Sequence, residues 1–204
     1  MTRKNLLTIV GIFTAGLTIA TLIGWWKVDG PGAEPTLKVQ PLPLSQMNFQ
    51  MTNQDGQTVE PKTLLGNASM VFFGFTYCPD VCPTTLIDIS GWLDALGAES
   101  SNINVAFITV DPDRDTVDLM ADYVSNFHPS IQGWSGSIDQ TRKAAESFRA
   151  SYEKIFLDAG DYTMNHTASV FLFDAAGQFS GTIDYHEPRE YAVPKIRSVL
   201  KKVN

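Results

Sequence analysis

The chain has 204 residues, 44% of them hydrophobic, and a formal net charge of −7. That is enough to bury one full core, and the length by itself fits one folded domain. An acidic surface excludes nucleic acid and anionic lipid headgroups as electrostatic partners, because both repel it.

Along the chain, the first feature is the run Leu6 to Trp26, which carries no charged residue. About 20 apolar residues cross a bilayer as a helix, so the run predicts one N-terminal transmembrane helix. Arg3 and Lys4 precede it and Trp25, Trp26 and Lys27 follow as interfacial anchors, which places Met1 in the cytoplasm and the remainder across the membrane. Removing Arg3, Lys4 and Lys27 from the net −7 leaves −10 on that exported part. A cleaved signal peptide is the other reading, but its apolar region is usually ~7–15 residues, and no Ala-x-Ala site precedes Trp25. The expected organisation is a cytoplasmic start and anchor over 1–27, an extended tether over 28–44 and a domain over 45–204. The tether carries Pro31, Pro35, Pro41 and Pro43, which favour an extended spacer.

Within the domain, Asn48 to Thr52 and Thr58-Val59 flank Asn53-Gln54-Asp55-Gly56, a hairpin signal. Ala68 to Thr76 is a continuous apolar run of strand length, as in a strand covered on both faces. Pro83, at a first helical position, opens a helix to about Ala98. Ile103 to Val110 reads as a second buried strand. Asp115, with Asp118 three positions on, caps a helix to about Phe127, and Ser137 caps another to about Lys154. Ser169 to Asp174 and Phe179 to Tyr185 pair around Ala175-Ala176-Gly177, and a last helix runs from Pro188 to about Lys202. The alternation predicts an α/β domain with a mixed sheet, in the order of a thioredoxin-like domain with insertions.

Cys78 and Cys82 are the only cysteines, four residues apart where the apolar run enters a proline-bracketed loop. Thiols that close can pair as a disulfide, attack a substrate disulfide or clamp a soft metal. Proline after each disfavours the α region, which predicts both on a loop rather than on consecutive helical turns. Cys82 then stands at a helix entrance, where backbone N–H groups and the dipole favour thiolate. The three intervening residues give a wider bite than Cys-x-x-Cys, which suits a metal better than a disulfide needing Cβ atoms ~3.5–4.5 Å apart. A purely structural disulfide across so short a loop removes little unfolded-state entropy.

His166, directly before the strand from Ser169, is the best placed third ligand, since in a thioredoxin-like fold the loop entering that strand faces the cysteine loop. His128 reads as a helix-end residue, His186 as a surface residue, and Met164 as packing with a thioether in reserve. Two thiolates and an imidazole form a soft set that suits Cu(I), fits zinc less well without a fourth ligand, and does not suit magnesium or calcium. Asp111-Pro112-Asp113-Arg114-Asp115-Thr116 reads as helix capping and local ion pairing by Arg114.

Three segments in this order carry a resemblance: Phe73-Gly74-Phe75-Thr76-Tyr77-Cys78-Pro79-Asp80-Val81-Cys82-Pro83, the Asp111 to Thr116 segment, and His166-Thr167-Ala168-Ser169. Together with the N-terminal run, the chain resembles the Sco/SenC family from about Leu44 to Asn204. The resemblance implies a thioredoxin-like domain held to a membrane and facing the periplasm or intermembrane space. It implies one copper held by Cys78, Cys82 and His166, as Cu(I) and also Cu(II), and a role in assembling the binuclear copper centre of cytochrome c oxidase subunit II. Family members commonly place an aspartate before the histidine, where this chain has Asn165; the amide loses a charge that can balance the metal.

Two functions follow. One is a copper carrier, not an enzyme, on a single-pass inner-membrane protein with its domain in the periplasm, exchanging with other copper chaperones. The other is a thiol–disulfide reductase in which Cys78 and Cys82 are redox-active and keep the oxidase cysteines reduced, reset by a separate thiol reductant. A peroxidase needs an activating arginine beside the thiol, which the sequence does not show.

Overall fold

The computed structural model describes residues 3–28, 40–157 and 160–202. They fall into two units, one ending at Val39 and one beginning at Gln40. The first contains helix α1, Arg3–Val28. Among the described residues no helix is long and apolar enough to cross a membrane, so the predicted span over Leu6 to Trp26 is not borne out. The part of α1 whose side chains are described, Thr14 to Trp26, is exposed throughout. The flanking side chains Arg3, Lys4 and Lys27, and tether positions 29–39, lie outside the described residues.

The second unit is a mixed seven-stranded sheet with helices packed on it, built as the buried-run reading requires. β3, Ala68–Gly74, is buried at every position, and β4, Ile103–Thr109, is buried at all but one. They pair in parallel from Ala68↔Ile103 to Gly74↔Thr109, the arrangement that wants apolar residues on both faces. α2, Val81–Leu96, connects them and buries Leu86, Ile89, Leu93 and Leu96 along one helical stripe. β1, Met51–Asn53, and β2, Thr58–Val59, form the predicted hairpin. Asn53 Oδ1 accepts from the backbone N–H groups of Asp55 and Gln57, closing its turn.

β5, Ile131–Ser135, is a strand that hydropathy did not predict. It is short and interrupted by Gly133, which reads as a breaker. The glycine is there for α3, Val117–Val124, which packs on this strand. A Cβ at 133 would come 3.0 Å from Val124 and 3.1 Å from Met120. α3 is capped by Thr116, whose side chain accepts from Leu119 N, not by Asp115. Asp115 is fully buried and spent on other donors.

α4, Ile138–Phe148, starts at Ser137 as predicted but stops well short of Lys154. Arg149 turns left-handed at φ 57°, and the chain leaves as β6, Tyr152–Phe156, paired antiparallel with β7, Tyr162–His166. The residues after Phe148 are tolerated in a helix; only the pairing with a segment ten residues on makes them a strand. β8, Val170–Phe173, pairs with β3, and β9, Phe179–Ile183, pairs with β8. α5, Arg189–Leu200, packs against α2 and the last strands. The main sheet runs β2-β1-β5-β4-β3-β8-β9, and β6-β7 is a separate two-stranded sheet.

Candidate metal site

β3 delivers the chain to the site. After Gly74 it leaves the sheet, and Cys78 N turns back to donate to Phe75 O at 3.3 Å. Cys78 lies on this loop as predicted. Cys82 does not: it is the second residue of α2, and it is fully buried. Pro83 falls inside the first turn, where a missing N–H costs no hydrogen bond, so the restriction it places on Cys82 is overcome.

The N-terminus of α2 has no side-chain cap from Asp80. Cys78 Sγ fills that place by accepting the Cys82 backbone N–H at 3.3 Å. Helix N-termini stabilise negative charge, and here the charge is a thiolate. Donation from the Cys82 thiol and the nearby backbone N–H groups, with the His166 ring beside the sulfur, outweighs burial and brings the Cys78 pKa down to about 4. Cys82 moves the opposite way, held protonated by its donation to Cys78 and by burial. Both are free thiols.

His166 closes the group from β7. Its Nε2 lies 3.4 Å from Cys82 Sγ, and its Nδ1 lies 3.0 Å from the Thr167 carbonyl. Donation from Nδ1 to that carbonyl leaves the Nε2 lone pair facing the thiols, the state a metal-binding imidazole needs. The ring stands edge-on to Phe72 and Phe75. The ligand atoms of Cys78, Cys82 and His166 all lie within 4.8 Å of one another. Cys78 and His166 border a cleft of about 350 Å³ also lined by Asp80, Met164 and Asn165, and Cys82 is buried.

The other histidines stand elsewhere. His128 Nε2 is 4.0 Å from Asp94, and its Nδ1 accepts from Ser130 N. His186 Nδ1 is 3.9 Å from Asp88. Met164 is buried on β7 beside the cleft, and Asn165 is exposed at its edge.

The aspartate segment is the scaffold of the site. Asp115 accepts from Thr76 N at 3.1 Å, Thr76 Oγ1 at 2.6 Å and Thr109 Oγ1 at 2.5 Å. It therefore pins the loop two residues before Cys78 to the end of β4. Burial raises its pKa even against these donors. Gly74 was also missed: a Cβ there would come 2.7 Å from Cys82 Sγ and 2.7 Å from the Phe107 ring. The available signals were Thr76 so close to a cysteine and a glycine inside an otherwise bulky buried run.

Fold and site define an α/β domain that presents a dithiol and an imidazole together at the end of a central strand. The SCO1/SenC family model matches residues 39–201, and the chain belongs to that family. The copper-bound ScoI of Bradyrhizobium japonicum is similar to it, with 41% identity, 74% of this chain and 97% of that chain covered, and a TM-score of 0.70; the thioredoxin-like reading of the fold is shown with it. Protein SCO1 homolog 1, mitochondrial, of Arabidopsis thaliana is 37% identical over 64% of this chain and 40% of that protein's length. The SCO2-like protein RC0895 of Rickettsia conorii is 34% identical over 65% of each. The chain thus spans between two fifths and two thirds of the length of these curated relatives.

Proposed function

We propose that the chain is a copper carrier that binds one copper through Cys78, Cys82 and His166 and serves assembly of the binuclear copper centre of cytochrome c oxidase subunit II. The observation that carries this reading is the convergence of two sulfurs and an imidazole nitrogen within 4.8 Å. A soft thiolate pair with one nitrogen favours Cu(I), and the copper bound in the Bradyrhizobium relative supports copper as the metal. Half-exposed Cys78 gives a partner's thiolates a point of entry for ligand exchange. The uncharged run Leu6 to Trp26 supports an inner-membrane anchor and the proline-bearing residues 29–39 a tether. The folded unit begins at Gln40 rather than at 45, because Leu44 is buried in it, and it would lie in the periplasm.

Copper titration of the reduced full chain tests this. One equivalent is expected for the native sequence, and His166→Ala should lose tight binding together with support of oxidase assembly. An H166A chain that still supports assembly in full would show that copper carriage by this site is wrong.

A second reading is favoured by the unequal thiols. Cys78 is accessible and accepts the Cys82 N–H, whereas Cys82 is buried behind it. The Cys78 thiolate would attack a disulfide in the oxidase copper site and release one client thiolate. Cys82, losing its proton, would then attack Cys78 and release the second. The client gains two electrons, Cys78 and Cys82 become a disulfide, and a membrane-facing dithiol reductant restores them. Cys82→Ser would then trap a mixed disulfide with the client, which carriage alone does not produce.

A further inference from the structure

The hairpin β6–β7 stands outside the seven-stranded sheet, yet it brings the third ligand. Its base and tip bonds, Thr167 N to Ser151 O and Leu157 N to Asp161 O, close the hairpin on itself. How firmly His166 meets the thiols therefore depends on what fastens β7 to the body. Alternate residues of a strand share a face, and Tyr162, Met164 and His166 are such a set. Met164 is buried and His166 reaches Cys82. Tyr162 is held to the body by Arg114 and Asp111, while Lys154, 4.1 Å from its ring, and Phe156 contact it from within the hairpin.

Arg114 leaves the β4–α3 loop beside Asp115. Its Nε donates to the Asp111 carboxylate, which is only 1% exposed. Its Nη1 donates to Tyr162 O at 3.0 Å. The guanidinium lies 3.8 Å from the centre of the Tyr162 ring, 4.8 Å from that of Tyr77 and 5.9 Å from that of Phe75. Tyr162 Oη completes the circuit by donating to the other Asp111 oxygen at 2.9 Å. A planar cation thus joins the histidine strand, the residue next to Cys78 and the segment just beyond β3. The exposed Lys154–Asp113 pair, 3.1 Å, is the weaker kind of tie.

We propose that Arg114 is a positioning residue of the metal site, bracing β7 against the cysteine loop and so setting how tightly His166 closes over the thiols. The proposal rests on the copper-binding reading and deepens it. A lysine cannot replace the brace, because it lacks the plane that stacks and the fork that reaches Asp111 and Tyr162 O together.

The test compares the reduced full chain with Arg114→Ala, His166→Ala and the double variant, measuring Cu(I) affinity against a chromophoric Cu(I) chelator. Arg114→Ala should weaken Cu(I) binding by about 10- to 100-fold, the range for groups that orient a ligand. In the His166→Ala background it should cause no further loss, since its effect passes through that imidazole. Equal losses in both backgrounds, or no loss while the native chain binds copper, would overturn the proposal. Hydrogen exchange of the metal-free chain gives an independent reading: R114A should lose protection at β6–β7 amides and keep it across β3–β4. If the native chain binds no Cu(I), the carrier reading fails, and unchanged hairpin protection in R114A then sinks the brace as well. Should R114A not fold, Tyr162→Leu, which keeps the Arg114–Asp111 pair, must show the same pattern.

Discussion

Cys78 and Cys82 are the same residue type under opposite local fields. The sulfur of Cys78 collects donors and Cys82 keeps its proton and donates it in a hydrogen bond to that sulfur, so the thiolate of the metal-free site belongs to Cys78. Its pKa is depressed from 9.0 to about 4, so the charge persists as pH falls below 9 and is lost only toward 4. Alkylation by iodoacetamide, followed by peptide mass mapping, should label Cys78 at pH 6 nearly as fully as at pH 8 and leave Cys82 largely unlabelled. A Cys78 profile with its midpoint near 9 would refute this assignment. Gly74 makes a second prediction at this scale. Gly74→Ala forces Cys82 Sγ or the Phe107 ring aside, and overpacking of this kind costs about 1–3 kcal/mol. Urea unfolding should show that loss, with weaker Cu(I) binding because Cys82 is displaced.

At the scale of elements, the β4–α3 loop serves two purposes on adjacent residues. Thr116 caps α3, and Asp115 fastens the cysteine loop to β4. Thr116→Ala should cost about 1 kcal/mol, the worth of a cap, and leave Cu(I) affinity unchanged. Asp115→Asn should cost about 1–3 kcal/mol by turning an amide N–H₂ toward donors, and it should also weaken Cu(I) binding. Thermal unfolding and chelator competition on both variants separate the roles; equal copper affinity in the two would show that Asp115 is only structural. The sequence offered Asp115 as a cap because a carboxylate before an apolar run carries that signal. What decided otherwise was distance: Thr76 is 39 positions away in sequence but one hydrogen bond away in space. β6 has the same cause, since its partner Tyr162 to His166 supplies the pairing that local propensity does not.

For the whole molecule, the domain edge lies where the chain starts to bury itself. Leu42 N donates to Ser147 O and Leu44 N to Gly177 O, and Leu44 is fully buried. Gly177, at φ 75°, leaves room for it: a Cβ there would come 3.0 Å from Leu44. A fragment of 40–204 should fold by itself, and one of 45–204 should be less stable by about 1.5–3 kcal/mol, the value of one buried leucine. Urea midpoints at equal m-values check this; coincident midpoints would show that the first residues add nothing.

The apolar runs from Ala68 and Ile103 were enough to place the central strands, because a strand buried on both faces leaves an unbroken hydrophobic record. The chemistry was equally plain in residue type, with the chain's only cysteines and a histidine just ahead of the strand at Val170. Sequence by itself therefore determined the class of fold, the soft donor set and the family. It did not determine how those donors are held. Cys82 inside the first helical turn, Gly74 beneath its sulfur, Asp115 behind the loop and Arg114 against Tyr162 are contacts between distant segments. Such contacts leave no local periodicity, and only the tertiary structure, where packing and hydrogen-bond satisfaction override propensity, decided them.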